Sequence, residues 1–134
     1  MSFTGPIEER ALIRELMSTY ADATMRADRT AWLACWSEDA VRRWRGTEVR
    51  GHAELAAQWD QLWGDIAAMG FFTEVGAILV DGDRATARCF CREIVSLKSG
   101  ATMKVVGRYD DELVKQDGTW RFTLRDYTLH IAER

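Results

Sequence analysis

Apolar residues recur at helical spacing through the first half of the chain and at alternating positions through the second. Ile13, Leu16, Met17, Tyr20 and Ala27 fall on one stripe of a helix predicted over about 6–27. Ahead of it, Thr4-Gly5-Pro6 offers a cap and a proline for the first turn. Thr30 can cap a short second helix carrying Trp32, Leu33 and Trp36. The stretch AVRRWRGTEVRG then alternates around Gly46 and predicts a small hairpin. A third helix is predicted from His52 to Met69, burying Leu55, Trp59, Leu62, Trp63 and Ile66, with Gly70 as its C-cap.

Beyond Gly70 the pattern is strand and turn. Segments near 71–80, 84–98, 102–115 and 119–132 are separated by Asp81-Gly82-Asp83, Ser99-Gly100 and Asp117-Gly118. Short turns between long strands force antiparallel neighbours. Helices grouped ahead of a four-stranded meander predict an α+β domain, three helices packed on one face of a strongly bent antiparallel sheet. A chain of 134 residues without linker or repeat is expected to form one domain over 1–134.

Composition narrows the function classes. The net charge is only −3 and the basic residues are scattered, so neither a nucleic-acid stripe nor a membrane-binding patch is expected. No apolar run approaches the roughly 18 residues of a membrane span, and MSFTGPIEER lacks the regions of a signal peptide. The expected location is the cytoplasm. Cys35, Cys89 and Cys91 are an odd set for a disulfide framework. Cys89 and Cys91 point to opposite faces of a strand, and neither histidine has zinc spacing, so no metal site is expected.

Several local phrases resemble the nuclear transport factor 2-like superfamily, and within it the SnoaL-like branch. They are LMSTYADATMRAD, WLACWSEDAVRRWRGTEVRGHAEL, VDGDRATAR and GRYDDELVKQDGTWRF, which together span nearly the whole chain in the family's order. The resemblance implies a cone-shaped α+β barrel of the cystatin-like type, with a mostly apolar pocket between helices and concave sheet. Such proteins include polyketide cyclases, scytalone dehydratase, ketosteroid isomerase, a hexachlorocyclohexane dehydrochlorinase, dioxygenase β subunits and noncatalytic carriers. Asp28 falls where the dehydrochlorinase and scytalone dehydratase keep the aspartate of a His–Asp dyad. Their histidine position matches Gly70 in an ungapped comparison, and no histidine is near it. The ketosteroid isomerase tyrosine matches Tyr20, its early-hairpin aspartate matches Trp44, and its oxyanion-donating aspartate falls near Asp110 or Asp111. Arg125 matches a pocket arginine of the dehydrochlorinase.

Strand alternation extends the list. With Arg125 inward, Thr123 and Tyr127 follow, while Trp120, Phe122 and Leu124 are expected outward. That convex apolar face predicts a homo-oligomer, a homodimer or trimer, packed through it. Cys91, Glu93, Val105, Gly107, Tyr109 and Asp111 are expected inward, as are Arg42 and Trp44 of the hairpin. The expected pocket therefore has aromatic walls and many charges. Bland roles compete for each: packing for Tyr20 and the tryptophans, turn chemistry for Asp28, mutual neutralisation for Arg125 and Glu93, simple burial for Cys91. His52 is expected to be solvated at a helix start and His130 to face outward.

These positions predict a cofactor-independent lyase or isomerase, of dehydratase or cyclase type, acting on a compact, mostly apolar cyclic or aromatic substrate. Asp28 or Glu93 would be the base, with Tyr109, Tyr20 or Arg125 steadying the oxyanion. Trp36, Arg42, Trp44, Cys91, Asp111 and Tyr127 would surround the substrate. The alternative is a noncatalytic small-ligand-binding protein or an accessory oligomeric subunit of the dioxygenase β-subunit kind.

Overall fold

The structure, a computed structural model, describes residues 1–133. The elements run in the order β1 (Phe3–Thr4), α1 (Ile7–Met25), α2 (Arg29–Ala34), β2 (Trp36–Trp44), β3 (Thr47–Arg50), α3 (Gly51–Trp63), β4 (Ile66–Asp81), β5 (Arg84–Leu97), β6 (Thr102–Gln116) and β7 (Thr119–Glu133). All strands join one sheet in the order β1-β4-β5-β6-β7-β2-β3. The meander from β4 to β7 is antiparallel, and β2 lies parallel to β7. Strands this long accumulate twist, and register shifts at Val75/Ala77 and Glu112/Leu113 bend them further. The sheet curls around α1, which packs mainly on β4, and α3, which packs on β2. No described helix is long and apolar enough to cross a membrane.

The predicted α+β order is therefore the observed one, with four local corrections. The first concerns the third helix, which ends at Trp63 with Gly64 as its C-cap. Ile66 to Met69 begin β4 and pair with Leu97 to Val95. Ile66 continues the helical spacing from Leu62 and Trp63, but its pairing partner lies far along the chain and leaves no local signal. Gly70 is an ordinary strand residue opposite Ile94, not a C-cap.

The second correction is the cap of α2. Asp28, not Thr30, is its N-cap, and Trp36 opens β2 instead of extending the helix.

The third lies in β7. Phe122 pairs with Leu113 and Leu124 with Glu112, which leaves Thr123 as an extra, bulged residue. The bulge reverses the alternation. Trp120 and Phe122 face inward together with Arg125 and Tyr127, with exposures of 3% and 0% for the two apolar rings. Trp120 donates its indole N–H to Glu9 Oε2 of α1 at 2.7 Å, and Leu124 is half-buried. Thr123, expected inward, instead donates its hydroxyl to the Glu112 carbonyl at the surface. Association through an outward Trp120–Phe122–Leu124 face thus loses its basis.

The fourth is the partner of Arg125, which is Asp111 and not Glu93.

Candidate functional site

Long strands carry every second side chain into the hollow, and β5 and β6 contribute Glu93, Tyr109 and Asp111. Cys89, Cys91, Glu93 and Val95 of β5 are buried in alternation, as are Val105, Gly107, Tyr109, Asp111 and Leu113 of β6. Gly107 is required by close packing, since a Cβ there would overlap the Tyr127 ring. The ring of Tyr127 thereby lies over the strand and forms a wall of the hollow.

The core holds a buried ion pair. Asp111 and Arg125 are Cα partners on β6 and β7. Arg125 donates from Nε to Asp111 Oδ1 at 2.7 Å and from a terminal nitrogen to Oδ2 at 3.0 Å. The side chains are 1% and 0% exposed, which rules out solvent screening of the pair. The guanidinium carbon also lies 4.6, 4.0 and 4.1 Å from the ring centroids of Tyr20, Tyr109 and Phe122. Burial pushes the Asp111 carboxyl up against the pull of Arg125, and Asp111 keeps Arg125 firmly protonated against its own burial.

A cleft of about 430 Å³ opens between the β2–β3 hairpin, α3 and the ends of β4, β5, β6 and β7, and the residues of the ion pair do not line it. Its volume lies within the range of small-molecule sites, roughly 300–1,000 Å³. Arg42, Gln58, Glu93 and Tyr127 are the buried polar residues of its lining, while Arg45, Thr47, Gln61 and Asp65 are exposed at its mouth. An inner void of about 50 Å³ shares Arg42 and Glu93 with the cleft and reaches Tyr20 and Tyr109. Among the described residues, no group of three or more His, Cys, Asp or Glu side chains is placed to hold a metal ion.

The polar groups of the cleft are incompletely matched. Arg42 donates to Gln58 Oε1 at 2.7 Å and to the Tyr109 hydroxyl oxygen at 3.3 Å, and its guanidinium lies 5.2 Å from the Trp44 ring centroid. Its Nε and the Tyr127 hydroxyl are buried without a hydrogen-bond partner among the described residues. Glu93 is 9% exposed and makes no hydrogen bond or close ion pair with any described residue. Burial pushes its carboxyl above the usual range, against the pull of Arg42 and Arg45. Burial likewise raises the Tyr127 hydroxyl, with Glu93 adding to the effect, and holds Tyr109 well above an ordinary tyrosine. Both phenols are protonated donors at neutral pH.

The other predicted residues fall outside the cleft. Asp28 Oδ1 accepts from the Ala31 N–H at 3.0 Å, and Oδ2 lies 3.4 Å from Arg26. Both oxygens are engaged at the start of α2, so Asp28 is not brought to Glu93 or Arg42. Tyr20 packs its ring against Trp32, Trp36, Phe71 and Phe122 and borders only the inner void. Trp36 is wholly buried in that aromatic core. Cys91 is buried beneath the wall, and burial, with Glu93 adding, pushes its thiol up to about 12, far from a thiolate. His52, expected to be solvated, is half-buried with Nε2 2.9 Å from the Trp36 carbonyl, and His130 lies exposed beside Phe90. Neither histidine lines the cleft.

Sequence reasoning passed over Gln58 and Arg45. Gln58 did leave a signal: it sits in the apolar stripe of α3 between Leu55 and Trp59, where a polar residue needs a buried partner. Arg45 left a weaker one, at the tip of the predicted hairpin.

The hollow between helices and a curled sheet, with polar groups projecting from alternate strand positions, is the arrangement of the nuclear transport factor 2-like superfamily. A SnoaL-like domain family model matches residues 6–126, and the chain belongs to that family. Among curated proteins none matches its sequence. A solved structure of a candidate aromatic ring hydroxylase from Novosphingobium aromaticivorans aligns with a TM-score of 0.91 at 26% identity, covering 97% of this chain and 95% of that one. A candidate scytalone dehydratase from the same organism aligns at 0.89 with 18% identity, over 95% and 87%. A hexachlorocyclohexane dehydrochlorinase, LinA-type3, from Novosphingobium barchaimii aligns at 0.85 with 15% identity, over 95% and 90%. At such identities the last two show a shared fold and no more.

Proposed function

We propose that the protein is a cofactor-independent lyase or isomerase acting on a compact cyclic or aromatic carbonyl compound in the cleft, with Glu93 as the base. One observation carries this reading: a buried carboxyl without a hydrogen bond shares the cleft with two buried donors, Arg42 Nε and the Tyr127 hydroxyl, that also lack partners. Leaving such a donor unmatched costs about 1–3 kcal/mol. A ligand oxygen entering the cleft would supply the missing acceptor for these two, whereas a third unmatched buried donor, Trp36 Nε1, lies outside the cleft. Neighbours of dehydratase and dehydrochlorinase type are compatible with this reading.

In this mechanism Glu93 takes a proton from the carbon beside the carbonyl. The released electron pair forms a carbon–carbon double bond, and charge passes to the carbonyl oxygen. Arg42 and Tyr127 donate to that oxygen as it becomes negative. An isomerase returns the proton to another carbon, and a lyase expels a leaving group from the adjacent one. Burial lifts Glu93 toward the pH at which a carboxylate is an effective base. The two donors are closed off from bulk water, so a substrate oxygen reaches them by side-chain rotation.

The test is turnover across a panel of cyclic ketones and β-hydroxy ketones. Glu93→Gln is expected to lower kcat by ~10²–10⁴, the usual worth of a general base, with ligand affinity retained. Undiminished turnover in Glu93→Gln overturns the assignment. A noncatalytic binding protein is the competing reading, favoured by the lack of a histidine beside the acid. Saturable binding with no turnover of any panel member would support it.

A further inference from the structure

Arg26, Arg29, Arg43, Arg50, Arg108 and Arg125 each have a carboxylate within 4 Å. Several exposed arginines do not, and neither do the two that line the cleft. Buried Arg42 hydrogen-bonds only the neutral Gln58 and Tyr109, and Arg45 has no salt bridge to any described residue.

Arg45 is also held in an uncommon way. It occupies the turn between β2 and β3 with φ of 49°, followed by Gly46 at 83°. Two successive positive φ values make the hairpin turn that ordinarily takes Asn-Gly or Asp-Gly. A long side chain is disfavoured in the left-handed region. From this turn the guanidinium lies 5.7 Å from the Trp44 ring centroid. It lines the mouth of the cleft, and its charge reaches Glu93 and Tyr127 inside. Asp65 is the acid at the same mouth, while both cations act on Glu93 within.

We propose that the cleft's ligand is a ring compound bearing a carboxylate at the end nearest the mouth, and that Arg45 is the residue that selects it. The ring lies against the Trp44–Tyr127 pair, whose centroids are 6.5 Å apart, with its carbonyl toward Arg42. This rests on the cleft being the ligand site, as proposed above, and not on Glu93 being the base. Arg45 is a specificity residue, which touches a substituent and not the reacting atoms.

The probes are 4-oxocyclohexanecarboxylate and its neutral isostere 4-oxocyclohexanecarboxamide, titrated calorimetrically at low salt. The carboxylate is expected to bind about ten-fold more tightly, equivalent to ~1.4 kcal/mol. In Arg45→Gln that ratio should fall close to one while the amide's affinity is unchanged. Arg43→Gln removes the same charge from the same hairpin, at a residue that pairs with Glu48 outside the cleft, and should keep the wild-type ratio. Equal binding of the two probes by the wild type overturns the proposal. So does a preference that survives Arg45→Gln, or one lost equally in Arg43→Gln. Absence of saturable binding by either probe overturns it together with the ligand-site reading. A failure of the base reading alone shows in Glu93→Gln turnover and leaves the binding ratio intact.

Discussion

Arg42 on β2 and Arg125 on β7 are Cα partners across adjacent strands, yet the two guanidiniums end in opposite states. Arg125 is closed: a two-pronged carboxylate in its plane and three aromatic rings around it account for its charge. Arg42 is open, with a glutamine oxygen, a phenol oxygen and one nitrogen unmatched. Tyr109 sits between them, accepting from Arg42 at its hydroxyl and lying under Arg125 with its ring. The same residue type, one strand apart, thus serves the fold in one place and remains available in the other. What separates them is the register. Asp111 faces Arg125 directly across the ladder, whereas Glu93 lies further along β5 opposite Val105 and reaches Arg42 only through space.

The comparison breaks most visibly on the closed side. Asp111→Ala strips the partner from a fully buried cation and is expected to cost about 3–5 kcal/mol, read as a fall in the urea midpoint. Replacing both partners, Asp111→Leu with Arg125→Met, should leave the protein more stable than either single variant, because no unpaired charge remains. If the single variant loses less than ~1 kcal/mol, the pair does not anchor the core.

A smaller effect is expected at Asp28. Asp28→Ala should lose about 1 kcal/mol through the vacated cap of α2, and Asp28→Asn, which caps equally well, should lose little. Neither should alter ligand binding. Lost turnover in a stably folded Asp28→Asn would return Asp28 to the site.

That residue also marks how far the sequence could be read. The family phrases located Asp28, Tyr20 and Arg125, and alternation placed Glu93, Tyr109 and Asp111 inward. Local patterns were sufficient because β5 and β6 alternate without a register shift between Arg84 and Ser96. They failed at Thr123, where one bulged residue turned Trp120 and Phe122 inward and removed the predicted outer apolar face. They also left open which acid would meet Arg125, since pairing depends on register between strands and not on order along them. Whether Asp28 capped a helix or faced a pocket was equally undecided, because one residue type in one bend serves both.

The open side of the comparison carries the smallest and most specific prediction. Burial raises the Glu93 carboxyl above its usual value, so the folded protein holds this proton more tightly than the unfolded chain does. Below the ordinary glutamate range, near pH 4.3, the group is protonated in both states and Glu93 adds no pH-dependent cost. As pH rises through the folded-state value, ionisation within the cleft takes stability away from the native state. Glu93→Gln removes that cost. Its stability relative to the wild type should therefore increase with pH and then level off, as measured by urea unfolding at several pH values. Asp111→Ala differs in the sign of its effect at neutral pH: it is destabilised, because Arg125 is left buried without its carboxylate. A Glu93→Gln protein destabilised at neutral pH would mean that the carboxylate is already satisfied by the protein itself, and the contrast between an open and a closed arginine would fail. A rising difference would show that the cleft holds its carboxylate at the expense of the fold, as expected of a group kept for its chemistry.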